Sequence, residues 1–318
     1  MVRNRTSHDK ILAARGSIIP LTRILFAGTP DISVPFLECF REDCVGVLTK
    51  PDSPKGRSKR PLPSNVALAA ENLQLPIIKA LSFDEAIRMQ ISDLNFDLGL
   101  VVAYGGLIPE DVLKMPKFGW INVHFSLLPD LRGAAPVERA ILRGDTKFGV
   151  SIFKLVKELD AGPIIGAFEF NLIHPTVEKV FQESIDRSIP LLKELLHDPK
   201  DWKMIEQDHS VATYAHKIDK EEFRIDLRKD AFAIDRQIRA FFPSAFLFFR
   251  NQRLSILETQ ISPISIPPGE YQIREGMLFI GTGRESLQIL KVKPEGKRAL
   301  AVREWMNGIR LKDEDQFL

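Results

Sequence analysis

Asn122 and His124 stand two residues apart in Ile121-Asn122-Val123-His124-Phe125-Ser126-Leu127-Leu128-Pro129. Arg132-Gly133-Ala134-Ala135-Pro136 follows at once, and Leu159-Asp160-Ala161-Gly162 brings a carboxylate 36 residues after the histidine. An amide can donate to a carbonyl oxygen, and an imidazole can stabilise or protonate that oxygen as negative charge develops. A carboxylate can hold the imidazole charged and handle protons through water. On an extended segment Asn122 and His124 share one face. No Gly-x-Ser-x-Gly elbow accompanies them, so the attacking nucleophile must come from a second substrate. The trio reads as an acyl-transfer site at which an amine attacks directly. Ala161 and Gly162 let the backbone around Asp160 approach its neighbours closely, and Leu128-Pro129 walls one side of the pocket.

These groups need a frame that brings separate segments together. The chain has 318 residues and 44% hydrophobic content, enough to bury a sizeable core and to suggest two domains. Short apolar runs at Ile24 to Ala27, Cys44 to Leu48, Pro76 to Ile78, Leu98 to Val102 and Trp120 to Val123 read as strands, with helical spacing between several of them. Ile32 to Phe40 is one such helix, entered through Gly28-Thr29-Pro30-Asp31. The alternation predicts an α/β domain with a Rossmann-like, mostly parallel sheet, whose reactive crevice lies beyond the carboxyl ends of the strands. Gly149 to Leu155 and Ile164 to Phe170 add strands, and Val177 to Leu196 reads as a closing helix.

After a polar segment containing Asp198-Pro199-Lys200-Asp201 the pattern changes. A helix over Asp230 to Phe241 precedes short strands at Ala245 to Phe249, Leu254 to Thr259, Gly269 to Ile273, Met277 to Gly281 and Ser286 to Val292. That spacing predicts a small OB-like β-barrel. The expected division is a basic extension over 1–22, a catalytic domain over 23–197, a linker over 198–216 and a barrel domain over 217–318.

Other classes fit poorly. The turn at Gly28 lacks Gly-x-Gly-x-x-Gly, so the pyrophosphate cradle of a nicotinamide dehydrogenase is missing. His124 has no ligand-spaced partner for a metal, and none is expected. Cys39 and Cys44 match neither a zinc nor a disulfide framework, which suits a reducing cytoplasm. No run of 18 apolar residues offers a membrane span. The first 23 residues set Arg3, Arg5, Lys10, Arg15 and Arg23 against Asp9 alone, a transit peptide, a basic tail or an upstream start.

The chain resembles the folate-dependent formyltransferases from about Arg23 onward. The matching runs are Phe26-Ala27-Gly28-Thr29-Pro30-Asp31, Lys50-Pro51-Asp52, Val101-Val102-Ala103-Tyr104-Gly105, the Asn122 to Pro129 and Arg132 to Pro136 stretches, Leu159-Asp160-Ala161-Gly162, Thr213-Tyr214-Ala215 and Pro294-Glu295-Gly296-Lys297-Arg298. The resemblance implies Asn122, His124 and Asp160 as catalytic residues and 10-formyltetrahydrofolate as donor. It implies donor contacts at Val102, Ala103, Tyr104, Gly105, Ser126, Leu127, Leu128 and Pro129. Its tRNA-directed branch implies an initiator methionyl-tRNA as acceptor and a role in translation initiation; a monomer is expected. Two departures stand out: Phe125 where a small residue is common, and Phe242-Pro243-Ser244-Ala245 in place of Asn-Pro-Trp-Pro.

Charge distribution points toward RNA although the formal net charge is only +2. Lys50, Lys55, Arg57, Lys59 and Arg60 crowd one segment whose prolines and glycine predict an irregular, mobile loop. Between Arg284 and Lys312 eight Lys or Arg face three acids, with Lys291, Lys293, Lys297 and Arg298 among them. Such stretches suit phosphates rather than bases. Two rivals stay open: a noncatalytic RNA-binding module, and a formyltransferase acting on a small amine such as an amino sugar nucleotide or glycinamide ribonucleotide.

Overall fold

The computed structural model describes residues 22–54, 60–312 and 315–318. The extension over 1–21 and the cations Lys55, Arg57 and Lys59 lie outside the described residues. By its internal contacts the chain divides after Ile121.

In the first unit, apolar runs free of polar alternation become fully covered strands, as expected of a parallel sheet. Strand β1 (Ile24–Gly28) is buried throughout, and α1 (Val34–Cys39) follows it after a 3-10 turn. Next come β2 (Cys44–Thr49), the short β3 (Ser53–Pro54) and β4 (Pro61–Leu62), α2 (Asn65–Asn72), β5 (Ile77–Lys79), α3 (Glu85–Asp93), β6 (Leu98–Val102), α4 (Glu110–Leu113) and the start of β7 (Trp120–His124). β1 runs parallel to both β2 and β6, and β2 parallel to β5. Helices start where capping residues allow: Ser64 accepts from the Ala67 amide and Asp84 from that of Ile87. The basic segment is more ordered at its base than its composition suggests, because Ser53 pairs with Leu62 and Pro54 with Pro61 in an antiparallel ladder.

Trp120 seats the beginning of β7. Its indole donates to the Val112 carbonyl at 3.0 Å and meets Phe96 edge-on at 5.5 Å. A methyl group on Gly99 would lie 2.0 Å from the indole, so β6 tolerates only glycine opposite this ring.

The second unit takes over at Asn122. It holds the end of β7, β8 (Arg132–Gly133), α5 (Pro136–Arg143), β9 (Lys147–Lys154), β10 (Ile164–Asn171) and α6 (Val177–His197). Strand order is β10-β9-β7, with β10 antiparallel to β9. Pro136 opens α5 and Gly144, left-handed at φ 85°, closes it. The segment over 198–216 is not a free tether. Ile205 exchanges two backbone hydrogen bonds with Ile164 at 2.8 and 2.9 Å, and β11 (Tyr214–Ala215) pairs in parallel with β8.

Beyond it lie α7 (Ala231–Ala240), capped by Asp230, then β12 (Phe246–Phe249), β13 (Gln252–Ser262), β14 (Tyr271–Arg274), β15 (Met277–Gly281), β16 (Ser286–Pro294), β17 (Leu300–Ala301) and α8 (Val302–Ile309). These strands form an antiparallel sheet in the order β12-β13-β16-β15-β14, with β17 on β16. Register shifts between Ile256 and Thr259 mark irregular pairing in β13, the usual device for bending a long strand. Among the described residues the end strands β12 and β14 share no ladder.

Asp235 on α7 joins several elements. Only 2% exposed, it accepts from Arg239 at 2.9 Å and Thr259 at 2.9 Å, and meets His174 at 3.0 Å. Asp235→Ala leaves Arg239 without its counter-charge in a buried setting and is expected to cost about 3–5 kcal/mol. Urea unfolding followed by tryptophan fluorescence checks this; a loss below 1 kcal/mol would contradict it.

Candidate active site

β7 delivers Asn122 and His124 to its carboxyl end. His124 is 5% exposed, and Asn122 is half-buried. Among the described residues the Asn122 amide makes no hydrogen bond, so both its donors remain free for a ligand. The His124 ring stands edge-on to Phe153 at 6.2 Å, and its Nε2 lies 2.9 Å from the Leu131 carbonyl oxygen. A carbonyl can only accept, so Nε2 carries a hydrogen and Nδ1 is the nitrogen that gains or loses a proton.

Nδ1 faces Asp160, with Oδ2 at 3.8 Å. The ring's orientation is fixed by Leu131 and not by Asp160, since the carboxylate lies beyond hydrogen-bonding distance. Asp160 is itself tied to the backbone, since its Oδ2 accepts from the Gly133 amide at 2.8 Å. It occupies the left-handed region at φ 49°, which aspartate tolerates better than most residues. Gly162 explains the Leu-Asp-Ala-Gly run, because a Cβ there would fall 1.8 Å from the Lys154 carbonyl oxygen.

The turn after His124 is braced from a distance. The Ser126 hydroxyl donates to the Asp130 carbonyl at 2.6 Å, and Ser151 bridges the Ser126 carbonyl and the Leu128 amide at 2.8 and 2.9 Å. Thr213 donates its hydroxyl to the Asp130 carboxylate and accepts from the Leu131 amide at 2.8 Å. Arg143 donates to the same carboxylate. Hydrogen bonds from Arg143, then from Thr213, hold Asp130 below the ordinary carboxylate range against the opposing effect of burial.

Phe125 points the other way along the strand. It is buried and meets Phe181 of α6 edge-on at 5.3 Å, so this departure packs the sheet against its helix.

Sequence reasoning missed Gln207. Buried within the segment read as a linker, it donates to the Asp160 carbonyl at 2.9 Å and to the Gly162 carbonyl at 2.7 Å. Its oxygen accepts from Arg132 at 2.6 and 3.2 Å, and Arg132 reaches His209 Nδ1 at 3.0 Å. One side chain thereby links both halves of the catalytic loop system. Its only sequence signal was a glutamine in a polar stretch, which distinguishes nothing.

In the first unit, the Gly-Thr-Pro-Asp turn anchors the end of β6. Ser33 donates to the Val102 carbonyl at 2.7 Å and Thr29 to that of Tyr104 at 2.8 Å. Ala103 and Gly105 are left-handed, at φ 48° and 71°. Tyr104 is buried, with its hydroxyl on the Ala80 carbonyl at 2.5 Å, and burial pushes the phenol up to about 12. Lys50 runs across Gly105, its Nζ 2.6 Å from where a Cβ would stand. Lys291, Lys293, Lys297 and Arg298 are all exposed, the first two on one face of β16, while Arg298 pairs with Glu304 at 2.7 Å. Among the described residues no group of three metal-ligating side chains occurs. No described helix is long and apolar enough to cross a membrane.

Residues 37–187 match the family described as "Formyl transferase" and residues 217–310 that described as "Formyl transferase, C-terminal domain". The fold and site thus define a formyl-transferring enzyme. Methionyl-tRNA formyltransferase of Cutibacterium acnes is 38% identical over 90% of this chain and 96% of its own length; that of Renibacterium salmoninarum is 37% identical over 92% and 98%. The chain belongs to the methionyl-tRNA formyltransferase family. The fold also matches a solved methionyl-tRNA formyltransferase from Clostridium thermocellum, with TM-score 0.56 and 18% identity over 86% of this chain and 99% of that one. HypX from Aquifex aeolicus, solved with tetrahydrofolic acid, gives TM-score 0.62 and 17% identity over 90% of this chain and 47% of its own.

Two outcomes are expected. Gly162→Ala forces the loop off Lys154 and lowers transfer activity more than tenfold with little change in the rest of the fold, measured by initial rates beside circular dichroism. The Asp130 brace has a lowered folded pKa, so its stabilisation is complete above the unfolded value of about 3.9 and is lost as pH falls through the lowered value. Faster amide exchange at Leu131 should therefore set in below about pH 4, while Asp130→Asn shows it already at neutral pH.

Proposed function

We propose that this enzyme transfers the formyl group of 10-formyltetrahydrofolate to the α-amino group of initiator methionyl-tRNA. The observation that carries the reading is an Asn122 amide without a hydrogen-bond partner among the described residues, beside a buried His124 whose Nδ1 faces Asp160. The acceptor amine attacks the formyl carbon, and the carbonyl π electrons move onto oxygen. Asn122 donates to that oxygen, and protonated His124 stabilises it from Nδ1. Asp160 receives the proton that the amine sheds through water. Collapse expels the folate nitrogen, which takes that proton back from Asp160 through water, leaving formylated methionyl-tRNA and tetrahydrofolate.

Donor contacts are assigned to Val102, Ala103, Tyr104, Gly105, Ser126, Leu127, Leu128 and Pro129. Since the Tyr104 hydroxyl is taken by Ala80, this residue contributes through its backbone. For RNA we assign Lys50, Lys55, Arg57, Lys59 and Arg60, together with Lys291, Lys293, Lys297 and Arg298 on the antiparallel domain. On this reading the catalytic domain spans 23–197 and the OB-like RNA-binding domain 217–318. The enzyme works in the cytoplasm as a monomer, without a metal.

An assay with labelled formyl donor offers methionyl-tRNA beside small amines, and labelling of a small amine alone would overturn the choice of acceptor. His124→Ala is expected to lower kcat by about 10²–10⁴, and Asn122→Ala by about 10²–10³. Lys291→Glu with Lys293→Glu should raise KM for the RNA, steepest at low salt, and leave KM for the donor unchanged.

A further inference from the structure

Tyr214 has a rigid seat. Thr213 before it accepts from the Arg132 amide at 2.9 Å and donates its own amide to the Pro129 carbonyl at 3.2 Å. Ala215 after it accepts from the Ala134 amide at 2.9 Å and from that of Ala135 at 3.3 Å. The approach of β11 to β8 is so close that a Cβ on Gly133 would lie 2.7 Å from the Ala215 carbonyl oxygen. Between these two pinned residues the Tyr214 side chain is 57% exposed, and among the described residues its hydroxyl makes no hydrogen bond.

Its position relates this ring to the reacting groups. Tyr214 pairs with Arg132, one residue before the Gly133 amide that holds Asp160. Partners in a parallel ladder project to the same side, so the ring shares a face with the Arg132 side chain that runs to Gln207 beneath the Asp160 loop. Exposing a large aromatic ring on a fixed backbone gains nothing for folding. It does supply a flat surface whose ordering cost is already met.

The flanking charges narrow the ligand. His216 and Lys217 follow directly, both exposed, and among the described residues neither side chain has an ion-pair partner. A stacking surface beside the Lys217 ammonium fits a nucleotide, whose base offers a π face and whose phosphate offers charge. A thioether side chain would instead need an enclosed apolar pocket, which an exposed ring does not provide.

We propose that Tyr214 is an acceptor-positioning residue: the 3′-terminal base of the aminoacyl-RNA stacks on its ring and so sets the distance from the amino group to Asn122 and His124. The inference rests on the tRNA reading given above. It is tested with the full chain as wild type, Tyr214→Ala and Tyr214→Phe. Uncharged tRNA with or without its terminal adenosine serves as inhibitor, beside initial rates on methionyl-tRNA. Wild type and Tyr214→Phe should bind the complete RNA about 5- to 150-fold more tightly than the shortened one. Tyr214→Ala should bind the two alike and show KM for methionyl-tRNA raised by a similar factor, with donor KM and thermal unfolding unchanged. Discrimination retained by Tyr214→Ala would overturn the proposal, as would a donor KM that rises in parallel. If wild type formylates no methionyl-tRNA at all, the tRNA reading itself fails, an outcome visible before any variant is made.

Discussion

The contact between His124 Nε2 and the Leu131 carbonyl, at 2.9 Å, is the constraint on which the site depends. Because the carbonyl has no hydrogen to give, it fixes both the ring plane and the nitrogen that bears the permanent proton. On the proposed mechanism the moving proton travels through Nδ1, on the side where Asp160 lies. Every brace around the turn serves to keep Leu131 where this geometry needs it: Ser126, Ser151, Thr213 and the Asp130–Arg143 pair all act on the backbone between residues 126 and 131. The site is thus stiffened from behind, while its front, at Asn122, has no hydrogen-bond partner among the described residues. Such an arrangement suits a site where hydrogen-bond donors must already point at an oxygen before charge develops on it.

Much of this was legible in the chain because local chemistry and position agreed. Asn122 and His124 were readable from the strand period alone, and the parallel sheet from unbroken apolar runs such as Leu98 to Val102. Gly162 was readable as a point of close approach, and its neighbour is indeed the Lys154 backbone. Boundaries moved where caps or pairing decided them. Asp230, read as helical, is the cap of α7, and the strand read as Leu254 to Thr259 extends over Gln252–Ser262 through its irregular pairing.

What stayed hidden shares one cause: it depends on partners far away in the chain. Nothing local distinguishes Gln207 from any polar residue of a connecting segment, yet it reaches 47 positions back to Asp160. Phe125 was opaque for the same reason, since its meaning lies in Phe181. The two-residue strand at Tyr214 is too short for periodicity to register. The part of Leu131 was invisible as well, because sequence offers side chains as partners and conceals backbone carbonyls.

The strap over 198–216 also bears on how the enzyme comes to exist. Gln207 and the Thr213 to Ala215 run supply hydrogen bonds that the loops at Asp130, Gly133 and Asp160 cannot supply for themselves. A chain emerging from the ribosome therefore carries Asn122, His124 and Asp160 before it carries the strap that braces their loops. Synthesis proceeds at about 5–20 residues per second, so the nascent sheet spends seconds with an unfinished site. The strap thereby acts as a latch that closes on loops already made.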